Sequence, residues 1–149
     1  MTLQMTDHFT YDELTNTGDE SLLAENRKEG TTYLGNLLKL AQELEKVRAF
    51  FGRAVLVSSA FRCAALNKEV GGSATSQHTT GSAADFTVEG YEDMNGLRFV
   101  FEWCRHHTSY SQLILEHPEG KRPWIHLGLP HKDKVGEVLE FDGKKYTHV

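Results

Sequence analysis

Two short stretches of strict period-2 alternation, each setting an ionisable side chain among apolar ones, constrain this chain more than any other feature. In Ala83-Ala84-Asp85-Phe86-Thr87-Val88, Asp85 shares a face with Ala83 and Thr87, while Phe86 and Val88 point to the other. In Trp124-Ile125-His126-Leu127-Gly128-Leu129, the three aliphatic residues face one way, and Trp124, His126 and Gly128 the other. Each reads as a strand with one face in a core and one face open. Just upstream, Thr79, Thr80 and Gly81 are poor helix formers, and Gly81 can take the positive φ of a tight turn, so His78 is expected on a loop. His78, Asp85 and His126 thus offer two imidazoles and a carboxylate, a donor set that suits Zn2+ and leaves one coordination position for water.

The rest of the chain supplies elements that would carry such a pair of strands. Residues 1–8 read as a loose leader, and Thr10 with Glu13 forms a capping-box pattern that starts a short helix through Leu14. Asn16 to Thr32 is polar and rich in turn formers, and reads as a surface loop with at most one helical turn. From Tyr33 to Phe51 apolar residues recur at three- and four-residue spacing, the mark of an amphipathic helix, which Gly52 ends. Ala54 to Ser58 reads as a buried strand, and Cys63 to Val70 as a short helix stopped by Gly71 and Gly72. Asp93 caps a helix running to about His107, where His106 and His107 suit the negative end of the helix dipole. Ser111 to Glu116 is a strand expected to pair antiparallel with the His126 strand, and Glu137 to Tyr146 reads as a hairpin about Asp142-Gly143. With no repeats and no internal linker, residues 1–149 are expected to form a single α+β domain: a small, mainly antiparallel sheet carrying the site, with helices packed on its other side.

Composition excludes several function classes. The net charge is -5, with no Lys/Arg cluster, which argues against nucleic-acid binding. The N-terminus lacks the basic and apolar regions of a signal peptide, and no apolar run reaches transmembrane length, so no membrane insertion and synthesis in the cytoplasm are expected. The two cysteines, Cys63 and Cys104, match no Cys-x-x-Cys motif and read as buried reduced thiols.

The order Ser76-x-His78-x-x-Gly81-x-Ala83-x-Asp85, followed by Trp124-Ile125-His126, resembles the zinc D-alanyl-D-alanine carboxypeptidase family of peptidoglycan peptidases, which includes many small phage endolysins. The likeness extends to Ser58-Ser59-Ala60-Phe61-Arg62, to Leu66 through Ser73, to Gln112 through Glu116 and to Gly143 through Tyr146. It implies a zinc peptidase acting on peptidoglycan stem peptides, as a D,D-carboxypeptidase or an endopeptidase, with zinc on His78, Asp85 and His126. It also implies that Arg62 contacts a substrate carbonyl or carboxylate, and that Ser76 touches substrate near the metal. Many relatives carry a glutamate three residues before the last histidine, where this chain has Pro123, which cannot shuttle a proton. Glu116 resembles the Leu-Ile-x-Glu of one branch of the family and is the expected general base, with His117 and Glu119 as fallbacks. Trp124, on the face of His126, is expected to wall the cleft. The resemblance suits a monomeric phage or prophage endolysin reaching the wall through a pore-forming partner at lysis, or a virion-associated protein. It leaves room for a non-catalytic zinc module, since hedgehog signalling domains resemble this fold, or for a structural protein with vestigial peptidase sequence.

Overall fold

The computed structural model describes residues 2–132 and 136–149. The chain begins with a small hairpin of β1 (Gln4–Thr6) and β2 (Phe9–Thr10), followed by helices α1 (Tyr11–Leu14), α2 (Glu20–Gly30) and α3 (Leu34–Phe51). Strand β3 (Val55–Ser59) leads through α4 (Ala64–Glu69) and a single 3-10 turn (Gln77–Thr80) into β4 (Ala83–Val88). Helix α5 (Met94–His107) precedes β5 (Gln112–Glu116), β6 (Trp124–Gly128), β7 (Glu137–Phe141) and β8 (Tyr146–His148).

Six strands form one sheet in the order β3-β4-β6-β5-β7-β8, antiparallel throughout except for the parallel pair β5/β7. The alternation of the sequence becomes two chemically distinct faces. Phe86, Val88, Leu113, Leu115, Ile125 and Leu127 are buried in one cluster with Leu37, Leu40 and Leu44 of α3 and Leu97, Val100 and Phe101 of α5. Asp85, Glu116, Trp124 and His126 lie on the opposite face. Helices cover one side only, so that second face is left to form a cleft. The α+β fold with a mainly antiparallel sheet and a helical side therefore stands as read from the sequence. Helix α3 ends at Gly52 with φ 63°, and Asp93 caps α5 by accepting a hydrogen bond from the Gly96 N–H at 2.7 Å.

Two expectations are corrected. Residues of the supposed loose leader are tied down, Met1 lying outside the described residues: β1 pairs with β2, the Tyr11 N–H donates to the Leu3 carbonyl at 2.8 Å, and the His8 N–H donates to Glu45 Oε2 at 2.7 Å. The polar stretch read as a surface loop contains the eleven-residue helix α2. Its start is conventional, since Asp19 accepts a hydrogen bond from the Ser21 N–H at 2.9 Å. Its anchor is Asn26, which is fully buried and therefore invisible to a search for apolar periodicity. The Asn26 amide donates to the carbonyls of Thr15 at 2.7 Å and Phe61 at 3.1 Å, and its Oδ1 accepts from the Cys63 N–H at 2.7 Å. One side chain thus satisfies two backbone groups of the segment that runs from β3 into α4 and a third just after α1.

Cys63 and Cys104 are both buried free thiols, and burial pushes the Cys104 thiol up to about 12. Among the described residues, no helix is long and apolar enough to cross a membrane. Replacing Asn26 leaves buried polar groups without partners, a loss of about 1–3 kcal/mol for each group left unpaired. Asn26→Ala is therefore expected to lower stability by at least about 2 kcal/mol in urea unfolding, more than a typical surface polar substitution.

Candidate metal centre

The centre is assembled from the 3-10 turn and two neighbouring strands. Ser76 opens the turn by accepting a hydrogen bond on Oγ from the His78 N–H at 3.2 Å, and Gly81, with φ 68°, closes it. The His78 ring is buried, and its Nδ1 lies 2.7 Å from the Ala60 carbonyl oxygen. A carbonyl only accepts, so Nδ1 carries the proton and Nε2 presents a lone pair. That Nε2 is buried without a hydrogen-bond partner and lies 3.3 Å from Asp85 Oδ1. In β4 and β6, Asp85 and His126 are directly opposite in register, which brings His126 Nδ1 within 2.9 Å of the same Oδ1.

Three ligand atoms, one from each of His78, Asp85 and His126, lie within 4.8 Å of one another. Burial pushes the Asp85 carboxyl up, but the two imidazoles beside it outweigh that and hold the group well below the usual carboxylate range. A buried carboxylate converging with an imidazole nitrogen that has no hydrogen-bond partner is an arrangement that a cation would stabilise. The residues present therefore fit a metal ion, and two nitrogens with one carboxylate oxygen suit zinc. The Ala60 carbonyl is the group that orients His78 from behind, a role usual for the outer nitrogen of a ligating imidazole.

Further contacts hold the two ligand-bearing segments together. The Gln77 side chain donates from Nε2 to the Leu129 carbonyl at 2.9 Å, and its Oε1 accepts from the Ser111 hydroxyl at 3.1 Å. It lies so close over β6 that a Cβ on Gly128 would stand 2.2 Å from Gln77 Oε1. The glycine permits the approach. The Arg62 N–H donates to the His78 carbonyl at 3.0 Å, joining the same turn to the segment that Asn26 anchors.

All seven residues singled out from the sequence line one cleft of about 410 Å³: Arg62, Ser76, His78, Asp85, Glu116, Trp124 and His126. A larger hollow of about 580 Å³ adjoins it at Gly72. Its lining, which includes Tyr33, Phe61 and Asn67, contains no histidine, whereas the smaller cleft holds His78, Asp85 and His126 together. Glu116 stands opposite Trp124 in the β5/β6 register, and the indole Nε1–H donates to its Oε2 at 2.9 Å. Burial and then the Asp85 charge push the Glu116 carboxyl up, against the opposing pull of His126, Trp124 and Arg62. The Arg62 guanidinium donates to Asn67 Oδ1 at 3.2 Å, while its Nε is buried and unpartnered. Burial lowers it from the usual arginine value, and Asp85 and Glu116 oppose that shift.

The two fallback bases stand apart from this group. His117 Nε2 is 2.9 Å from Glu140 Oε2, Glu119 is exposed, and neither lines the cleft. Local reading missed four contributors: Asn26, the Ala60 carbonyl, Gln77 and Tyr146, which also lines the cleft. Gln77, Ala60 and Tyr146 lie within the stretches that resemble the family but were given no role there, and Asn26 carried no sequence signal.

The fold and its His/Asp/His cluster define a protein built around a candidate metal site, and comparison with known families supplies the class. The chain belongs to the peptidase M15 family, whose family model matches residues 7–128. The resemblance to the zinc D-alanyl-D-alanine carboxypeptidases is thus upheld, and the family is one of metallopeptidases. A search of curated proteins found no match.

The donor geometry generates a direct expectation. His78→Ala, Asp85→Ala and His126→Ala should each lose stoichiometric zinc after dialysis, measured by elemental analysis of the purified protein. Retention of zinc by all three variants would remove the metal from this cleft.

Proposed function

We propose that this chain is a zinc peptidase that hydrolyses an amide bond in peptidoglycan stem peptides, as a D,D-carboxypeptidase or an endopeptidase. We assign it to a phage or prophage endolysin, acting on the wall after release from the cytoplasm through a pore made by a partner protein. The observation that carries the reading is the common placement of the Glu116 carboxylate and the three converging donor atoms in one cleft. Glu116 accepts a hydrogen bond from Trp124, and among the described residues it takes part in no salt bridge. A carboxylate turned away and locked to a cation would instead have favoured a purely binding module.

His78, Asp85 and His126 would hold zinc, which when bound would supply Lewis acidity to a peptide carbonyl and to water. Glu116 accepts a proton from the attacking water as its oxygen bonds to the carbonyl carbon. The same carboxyl then returns that proton to the amide nitrogen as the C–N bond breaks, so protons and electrons balance. The raised affinity of Glu116 for a proton suits both halves of this exchange. The Trp124 indole holds one carboxylate oxygen and leaves the other to act. Arg62, with donors in the cleft, binds a carbonyl or carboxylate of the peptide in the fork geometry that lysine cannot copy. Ser76 uses its hydroxyl oxygen to cap the His78 turn, so its contribution to substrate comes from the remaining hydrogen of the hydroxyl.

Digestion of purified peptidoglycan by the zinc-loaded protein, with a chelated control and mass analysis of the fragments, tests the reading. Release of a chelator-sensitive product supports it and names the bond. Absence of product with zinc bound would overturn it in favour of a non-catalytic zinc module. Glu116→Gln should keep zinc and lose about 10²–10⁴-fold in kcat. Arg62→Lys should keep zinc and act mainly on KM.

A further inference from the structure

The register of four adjacent strands puts Trp124, Glu116, Phe141 and Tyr146 in a single row across the sheet. Residues opposed in this way share a face, so Phe141 and Tyr146 stand on the face that carries the candidate metal centre. Their rings stack with centroids 4.3 Å apart and an interplanar angle of 26°. Tyr146 lines the cleft, and yet 56% of its surface is exposed. A large aromatic so exposed gains little from folding unless something else covers it. Burial and the nearby Glu116 charge push its phenol up from the ordinary tyrosine value, which fits its place beside the proposed base.

The hairpin that presents this ring is held firmly. Asp142 Oδ1 accepts from the Lys144 N–H at 2.8 Å and the Lys145 N–H at 2.9 Å, and Gly143 adopts φ 99°. A Cβ on Gly143 would stand 3.0 Å from Pro118 Cα, so the turn packs against the loop that follows β5. The His117 N–H donates to the Phe141 carbonyl at 2.8 Å, and Glu140 is gripped by Arg98 at 2.7 Å and by His117 at 2.9 Å. The ring is therefore set in place before any ligand arrives, which reduces the entropy lost on binding. It lies outside residues 7–128, the part of the chain matched by the family model.

We propose that Tyr146, backed by Phe141, is a substrate-contacting residue through which the enzyme reads the peptide at a distance from the scissile bond. This inference rests on the peptidase reading. Strand β8 is three sheet positions from β6, or about 14 Å at ~4.8 Å per strand, and an extended peptide covers that span with about four residues at ~3.3 Å each. The ring offers a flat apolar face to aliphatic side chains, and its hydroxyl offers a hydrogen bond to a peptide group. At the other side of the metal donors, Arg62 follows β3, the opposite edge of the sheet. Substrate is thus held at both ends of the cleft, with the reacting bond between.

The test is a nested series of synthetic stem peptides, all containing the bond that the wild-type protein cuts and extended stepwise by single residues. The zinc-loaded wild type should show kcat/KM rising with length. Tyr146→Ala, and Tyr146→Val as a strand-favouring variant that cannot stack, should lose about tenfold on the longest peptide through KM, the equivalent of ~1.4 kcal/mol. Both should leave zinc content unchanged and should lose much less on the shortest peptide than on the longest. Equal loss on short and long peptides, or no loss on the longest, would overturn the assignment. Length-independent cleavage by the wild type would overturn it while leaving the peptidase reading intact. A wild type that holds zinc and cleaves nothing would overturn both.

Discussion

Two ring nitrogens and a carboxylate oxygen converge on one point, an arrangement that a bound cation stabilises, and most of the surrounding structure serves to keep it. The His78 lone pair is directed inward because the Ala60 carbonyl takes the proton on the far side of the ring. Ala60 can do this because Asn26 fixes the segment beside it through hydrogen bonds on both sides. Asp85 and His126 need no such scaffolding of their own. Direct register between β4 and β6 sets them opposite one another, and the hydrophobic faces of those strands forbid a slip, since moving one residue would turn Phe86 and Ile125 into the cleft.

The sheet divides the labour between stability and chemistry by its two faces. One face meets α3 and α5 through fully buried aliphatic and aromatic side chains, and this rigid backing fixes the positions of the strands. The other face meets the 3-10 turn that carries His78 and gathers ionisable groups at a density that water and a metal ion can tolerate but a core cannot. The same low-dielectric surroundings raise Glu116 and strengthen the field that Arg62 and the metal donors exert on anything bound. A peptidase needs that combination: preorganised charge over a packed support.

Different parts of the molecule were legible to different degrees. The strands around Asp85 and His126, the helix over Leu34–Phe51 and the Asp93-capped helix were readable because their periodicity reports the very burial that makes them form. Helix α2 was not, because its anchor is a polar residue whose three hydrogen bonds reach backbone groups distant in sequence. The leader was misread for a similar reason: pairing with β2 and contact with Glu45 on α3 give it structure that its own composition does not advertise. The terminal hairpin was expected from Asp142-Gly143, but its parallel docking against β5, which sends Tyr146 into the cleft, was not. Local pattern cannot specify a non-local strand partner.

The sequence alone picked out the candidate residues, His78, Asp85 and His126 as donors with Glu116, Arg62, Ser76 and Trp124 around them, and all seven line one cleft. Alternation marked Asp85, Trp124 and His126, because a polar side chain on the open face of a strand stands out among its apolar neighbours, whereas Arg62, Ser76 and Glu116 were pointed to by the resemblance to the family. Tertiary structure decided the tautomer of His78, the separation of His117 and Glu119 from the cleft, and the presence of Tyr146 at the rim. Each of these depends on which groups meet across a sheet or a loop. Such meetings follow from strand order and from hydrogen bonds between segments dozens of residues apart, and no short window of sequence contains them.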